Sequence, residues 1–396
     1  MPDTPGANRL YTRPFLGIIS VNLLSFSQWF GLNPVLPLVI IEMGGDAALA
    51  GLAFALFSIP SVIFRPIFGG WSDRIGTRLI LLGGTLGIGL LAPVYLVPSL
   101  VLMMVIRVVH GIAWAGVMTA GPALMARLAP PTRRGEAASI FDLMPSLAQT
   151  VMSAVGLLIW TLGGGVAVFL LAGAVGVAAW WIVLVTVPPD RPAQRPATPT
   201  GQMPFLEPSA VLPMVVVILF MSSSPLFVIY PPILATQNGI PLTELAVYYP
   251  VYGLSMVGSR ILVSKVIDRL PRLGVIIGGG LLGIAALWGS IQATSILALT
   301  IAGALNAGAV GVVVPALTAA VIDLAPAGRI GSAMGTYSIG YQFAGGFGAA
   351  VWGFVIENSG FIVAYWAAIG VELILLLVAV AFRRQLERAR SAVAPP

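Results

Sequence analysis

The sequence predicts an all-α integral membrane protein, with twelve transmembrane helices in two pseudo-symmetric six-helix bundles. Three observations predict it. The 396-residue chain is 58% hydrophobic and only 9% charged, and its mean hydropathy is +0.99, far outside the balance of a soluble domain. Its apolar residues come in runs of about 20, the length at which a helix rising about 1.5 Å per residue crosses about 30 Å of hydrocarbon. Membrane-spanning strands would be about half as long and would alternate polar and apolar residues. The second half of the chain also repeats the first: Arg65, Asp73 and Arg74 recur as Arg260, Asp268 and Arg269, all displaced by 195 residues.

In chain order, the polar stretch Met1–Pro14 precedes an apolar run much too long for a signal-peptide core, so it reads as a short tail before a retained first helix. The first six spans are expected at residues 14–38, 47–68, 79–97, 101–125, 137–161 and 165–187. Residues 188–210 are rich in proline, which forbids regular helix and favours solvated, extended backbone, so they form a linker. Six more spans are expected at residues 211–234, 244–264, 273–293, 296–321, 331–355 and 360–382, followed by a basic tail. The domains are thus residues 1–187 and 211–396. A second echo supports the duplication: Pro122-Ala-Leu and the later Leu128-Ala129-Pro130 and Gly135 return as Pro315-Ala-Leu, Leu324-Ala325-Pro326 and Gly331, with offsets of 193 to 196.

With these spans, Arg65, Arg107 and Arg260 lie inside the apolar segments and every other Lys or Arg falls on one side. The opposite side carries Glu42, Asp46, Glu244 and Glu357. By the positive-inside rule both termini are cytoplasmic. The net charge of +6 is a topology signal, and no nucleic-acid partner is expected. The absence of cysteine removes disulfides and thiolate chemistry, and with His110 the one histidine, no metal site or cofactor is expected. No Walker A sequence and no nucleophile paired with a base occurs, so neither ATP drive nor an enzyme is expected.

Gly69, Asp73, Arg74, Gly76 and Arg78 resemble the G-x-x-x-D-R-x-G-R-[KR] signature between helices 2 and 3 of the major facilitator superfamily, with Thr77 where that signature has its first basic residue. Arg107 and Gly111 resemble the R-x-x-x-G signature of helix 4 in its drug-efflux, drug:proton-antiporter-like members. The resemblance covers essentially the whole chain. It implies halves related by an axis along the membrane normal, a central small-molecule site lined by spans 1, 4, 7 and 10, and rocker-switch alternating access. It also implies that Asp73 faces the start of span 11, at Gly331-Ser332-Ala333, as a latch in which a helix dipole favours the anion. Arg65, Gly69, Asp73, Arg74, Gly76, Arg78, Arg260, Asp268 and Arg269 form the expected gate, built on a short glycine-rich turn over Gly69–Arg78 and its copy around Asp268 and Arg269 in the second half. Arg65 and Arg260 also have stems long enough to snorkel. Two features depart from the drug-antiporter pattern: Ser146–Gly156 lacks the G-P pair of span 5, and span 1 has no embedded carboxylate.

Arginine inside a span costs about 2.5–3.5 kcal/mol on the insertion scale, so Arg107 must face protein or water. It is a candidate for an anionic group of the substrate. Other cavity candidates are Asn22, Gln28, Trp114, Asn306, Tyr337, Tyr341 and Gln342, each of which can equally tie helices together. Candidates for carrying a proton are Asp142, whose burial in span 5 would favour its neutral form, His110, and Glu372 in span 12, for which a packing or lipid-facing role competes. With many Met, Phe and Trp, including Trp29 and Met118, the lining suits an amphipathic solute better than a sugar. The expected function is proton-coupled efflux of a small amphipathic organic solute by a monomer in the bilayer of a bacterial inner membrane. Import or uniport of a sugar or organic acid, and a lipid flippase or non-transporting sensor, are the alternatives.

Overall fold

A computed structural model describes residues 9–189, 206–264, 271–326, 329–383 and 385. Among the described residues there is no strand, and the chain runs through thirteen α-helices. In the first half these are α1 Arg13–Leu32, α2 Leu36–Glu42, α3 Ala47–Ile75, α4 Thr77–Leu91, α5 Leu100–Leu128 and α6 Arg134–Thr186. The second half has α7 Pro208–Met221, α8 Pro225–Val228, α9 Pro231–Gln237, α10 Leu245–Ser264, α11 Arg272–Ile291, α12 Ile296–Leu324 and α13 Ile330–Ala381.

Local sequence explains the breaks. Pro34 lacks the N–H that would continue α1, so α1 and α2 form one span interrupted at residues 33–35. Asp46 caps α3, its Oδ1 accepting from Leu49 N at 2.7 Å. The long helices α6 and α13 each pass through one residue with non-helical dihedrals, Gly164 (φ 62°) and Gly360 (φ 82°), and each is therefore two spans meeting at a glycine. Nine helical stretches among the described residues are long and apolar enough to cross a membrane, two of them these double spans. With α10 they give the twelve-span all-helical fold.

The turn expected over Gly69–Arg78 is much shorter. Helix α3 continues through Gly69, Asp73 and Arg74 to Ile75, and the reversal is confined to Gly76 at φ 100°. Glycine in a helix costs only about 1 kcal/mol against alanine, so Gly69 and Gly70 do not end α3. The corner is closed by Gly76 N to Ser72 O (3.0 Å), Ser72 Oγ to Thr77 Oγ1 (2.7 Å) and Arg78 Nη2 to Leu184 O of α6 (2.9 Å). The matching Asp268 and Arg269 lie outside the described residues, as do most of the linker and the basic tail.

The duplication is structural, with a constant displacement of 196 residues. Ser99 and Ser295 cap α5 and α12 by accepting from Leu102 N and Ala298 N, both at 3.3 Å. Arg133 and Arg329 precede α6 and α13, and Gly164 and Gly360 kink them. The chain gathers into two compact units, Met1–Val39 with Ile59–Thr200 and Ile40–Ser58 with Gly201–Pro396. In the first, α6 packs on α1 and α4, and α4 on α5; in the second, α13 packs on α7 and α11, and α11 on α12. The segment Ile40–Ser58, expected with the first bundle, groups with the second: Ala47 N donates to Glu357 Oε2 at 3.1 Å. Large apolar side chains such as Val101, Leu162, Leu262 and Leu377 stand exposed on the outside, a surface suited to hydrocarbon rather than water.

Candidate functional site

In the first unit, Arg107, His110 and Trp114 follow one another on one face of α5. All three are buried, Arg107 to 1% exposure. A guanidinium in an apolar interior is costly unless its charge is met. Here the Trp29 ring of α1 lies under it, 5.6 Å from Cζ to the ring centroid, an attraction between cation and π face. The Tyr95 hydroxyl also hydrogen-bonds to it. Tyr95 follows α4 in a short 3-10 turn and has a second partner, His110 Nδ1 at 3.0 Å. Around this group Trp29 stacks on Trp114 with centroids 5.6 Å apart, and Phe26 meets Trp114 edge-on at 5.1 Å. The arrangement offers one fixed cation with aromatic walls, the chemistry for a solute joining an anionic or electron-rich group to an apolar body.

Two cavity candidates turn out to be ties between helices. Asn22 Nδ2 donates to Phe141 O at 2.8 Å, and Gln28 Nε2 donates both to Ile88 O at 2.7 Å and to Ala172 O at 3.0 Å. Both side chains are only 3% exposed. Their donors are used on backbone carbonyls of neighbouring helices.

In the second unit, Tyr252 Oη of α10 donates to Asn306 Oδ1 of α12 at 3.1 Å, and Tyr337 Oη of α13 reaches Val314 O at 3.4 Å. Arg260, expected at a gate, lies within electrostatic reach of Tyr252, Tyr337 and Tyr341. The structure thus joins it to the cavity candidates of that unit. Gln342 and Tyr341 are half-buried.

Of the other expected residues, Asp73 and Arg74 are exposed, and Arg65 and Arg78 are half-buried. Asp142 is exposed, which removes burial as the reason it would hold a proton. Glu372 is 0% exposed, so it faces protein and not lipid. Among the described residues no cluster of His, Asp and Glu could hold a metal. Sequence reasoning missed Tyr95 and Tyr252. Tyr248 and Tyr252 share a helix face four residues apart, a signal that could have been read; Tyr95 meets its partners across helices, which leaves no spacing to find.

Comparison with known proteins agrees with this architecture. The family model of the Major Facilitator Superfamily matches residues 18–215 and 214–395. An uncharacterised MFS-type transporter of Escherichia coli O157:H7, YhhS, is 26% identical over 403 residues, covering 92% of this chain and 91% of that protein. The class E tetracycline resistance protein of Escherichia coli is 47% identical over 66 residues, but this spans 15% of the present chain and only 16% of that protein. In fold, the crystal structure of the nucleoside transporter NupG matches with a TM-score of 0.74 at 13% identity, over 93% of this chain and 99% of that one.

Proposed function

The chain belongs to the Major Facilitator Superfamily, and from that premise we propose that this membrane transporter expels a small amphipathic organic solute in exchange for protons. The observation that carries the reading is Arg107, 1% exposed and held between the Trp29 ring and the Tyr95 hydroxyl. A buried cation walled by aromatics selects a solute with an anionic or electron-rich end and an apolar body. It suits a polyhydroxylated sugar poorly, because each hydroxyl needs a hydrogen-bonding partner. The short stretch shared with a tetracycline resistance protein supports export as the direction. The protein works as a monomer in a bacterial inner membrane with both termini cytoplasmic, as the one-sided Lys and Arg support.

Asp142 exchanges the proton, from an exposed position on α6. The exposed Asp73 and Arg74 latch the gate beside the Gly76 corner. One charge moved across the membrane is worth about 2.3 kcal/mol per 100 mV, so a single coupled proton drives substantial accumulation. The test is internal pH in proteoliposomes holding the purified protein as anionic, aromatic or sugar solutes are added, with Asp142→Asn run beside the parent. Proton movement with amphipathic solutes, lost in the variant, is expected, and its sign gives the direction. Labelled-solute flux without proton movement and indifferent to Asp142 would leave a uniporter and overturn the coupling.

A further inference from the structure

Glu372 is buried even more completely than Arg107, at 0% exposure, and has no part in the site above. It lies on the stretch of α13 beyond Gly360. Ser223, in the break between α7 and α8, places its Oγ 3.0 Å from Glu372 Oε1. Oε2 has no hydrogen-bond partner among the described residues. Gly283 of α11 makes room for the carboxyl: a Cβ there would lie 3.5 Å from it.

No counter-charge faces this acid from the helices packed on it. From Pro208 to Val228, α7 and α8 carry no ionisable side chain. On α11 the one such residue is Arg272, at the far end of the helix and paired with Asp323 of α12 at 3.4 Å. On the same stretch of α13 the other is Tyr365, roughly two turns earlier, whose hydroxyl bonds to Ser290 of α11. Tyr252 of α10 reaches the same break, bonding to Ser224. An ionised carboxylate here would have neither cation nor water.

A hydroxyl has one hydrogen to give, yet Ser223 Oγ stands 3.0 Å from two acceptors, Glu372 Oε1 and the Phe220 carbonyl. Phe220 O has lost its helical partner, because Ser224 N turns to Met221 O instead. Side chains serve two other carbonyls at and just beyond the break: Trp352 Nε1 donates to Ser222 O at 2.6 Å and Tyr248 Oη to Phe227 O of α8 at 2.8 Å. A neutral Glu372 resolves the conflict. Its O–H donates to Ser223 Oγ, and Ser223 donates to Phe220 O. Once the proton leaves to water, the carboxylate takes the Ser223 hydrogen and Phe220 O is left bare in an apolar core. The acid is particular to this unit: 196 residues earlier, the first unit has Gly176, with Gly89 of α4 against its backbone.

We propose that Glu372 is a proton-binding site whose state is transmitted through Ser223 to the break between α7 and α8. The proposal holds whichever solute is carried and does not rest on Asp142. It is tested on the full chain in lipid nanodiscs, with infrared titration of the carboxyl band and hydrogen exchange of peptides covering residues 216–230, corrected for the intrinsic effect of pH. The parent is expected to lose a neutral-carboxyl band as pH rises, a band absent from Glu372→Gln at every pH. Exchange at the break should accelerate roughly tenfold over the same pH range. Glu372→Gln keeps a donor for Ser223 and should show no pH step in exchange. Ser223→Ala should keep the titrating band while exchange no longer follows it. An exchange step in either variant equal to that of the parent, or a parent without the extra band, overturns the proposal.

Discussion

At position 107 the first unit buries an arginine; 196 residues later, at the equivalent place in α12, the second unit has Gly303. The space is filled differently. A Cβ at Gly303 would come within 2.5 Å of the Tyr248 ring, so an uncharged tyrosine of α10 lies against it. One turn along, His110 corresponds to Asn306, and each meets a tyrosine hydroxyl, Tyr95 at 3.0 Å and Tyr252 at 3.1 Å. At 176 and 372 the asymmetry reverses: glycine stands in the first unit and a buried acid in the second. The duplicated backbone sets where side chains can meet. Each unit fills the equivalent place with different side chains, so a charge present in one copy and missing from the other is not required by the shared backbone. The cation belongs to one unit and the buried acid to the other.

The largest expected effect comes from erasing that difference at position 107. Arg107→Ala should cut solute affinity and transport by about ten- to hundredfold, the value of roughly 1.5–3 kcal/mol for a hydrogen bond to a charged group. Insertion and thermal stability should survive or improve, since a buried charge is removed. Arg107→Lys should rescue only part, because an ammonium lacks the planar face that lies over Trp29. Binding by the alanine variant equal to that of the parent would remove Arg107 from the site.

Next in size is a paired test of glycine packing. Gly176→Ala would set a Cβ 2.5 Å from Gly89 Cα, an atom of backbone in α4 that cannot rotate away. Gly303→Ala would meet the side chain of Tyr248 at the same distance, and a ring can tilt. Both should destabilise within the range of about 1–3 kcal/mol for overpacking, Gly176→Ala toward its upper end and Gly303→Ala toward its lower. Thermal unfolding in detergent reads both; the reverse order would mean that Tyr248 is held more rigidly than the helix pair.

Hydropathy made the twelve spans legible, and two displaced triplets, Arg65-Asp73-Arg74 and Arg260-Asp268-Arg269, made the duplication legible, because both signals are local in sequence. The family signature around Asp73 was visible for the same reason, although its turn proved to be Gly76 alone: helix continuation through Gly69 is a weak energetic preference that neighbouring turns decide. The site was only half legible. Arg107 declared itself by the cost of its charge. Asn22 and Gln28 did not declare that they would bind backbone carbonyls, nor Asp142 that it would be exposed, since those outcomes depend on which helix lies opposite. Glu372 was visible as an acid in an apolar run, but Ser223 and the orphaned Phe220 carbonyl exist only once α7 breaks beside α13.

The smallest effect tests how each long helix is anchored at its start. Before α6, Arg133 holds Glu136 through bonds of 2.7 and 2.8 Å, and Tyr11 adds one of 3.0 Å; before α13, the equivalent Arg329 instead reaches back to Glu207 at 3.3 Å. The hydrogen bonds from Arg133, then that from Tyr11, hold the Glu136 carboxyl below its ordinary range. A depressed carboxylate contributes stability that is present above the ordinary carboxylate range and lost as pH falls through its own lower value. Glu136→Gln should therefore lower the melting temperature slightly at neutral pH, with the difference from the parent closing as the medium is acidified and shrinking in high salt, because the group is exposed and screened. Glu207→Gln should lose more and respond less to salt, since its side chain is 4% exposed against 40% for Glu136. Equal, salt-sensitive losses in both variants would mean that the two anchors are the same surface ion pair in different dress, and that the asymmetry between the units is confined to their buried positions.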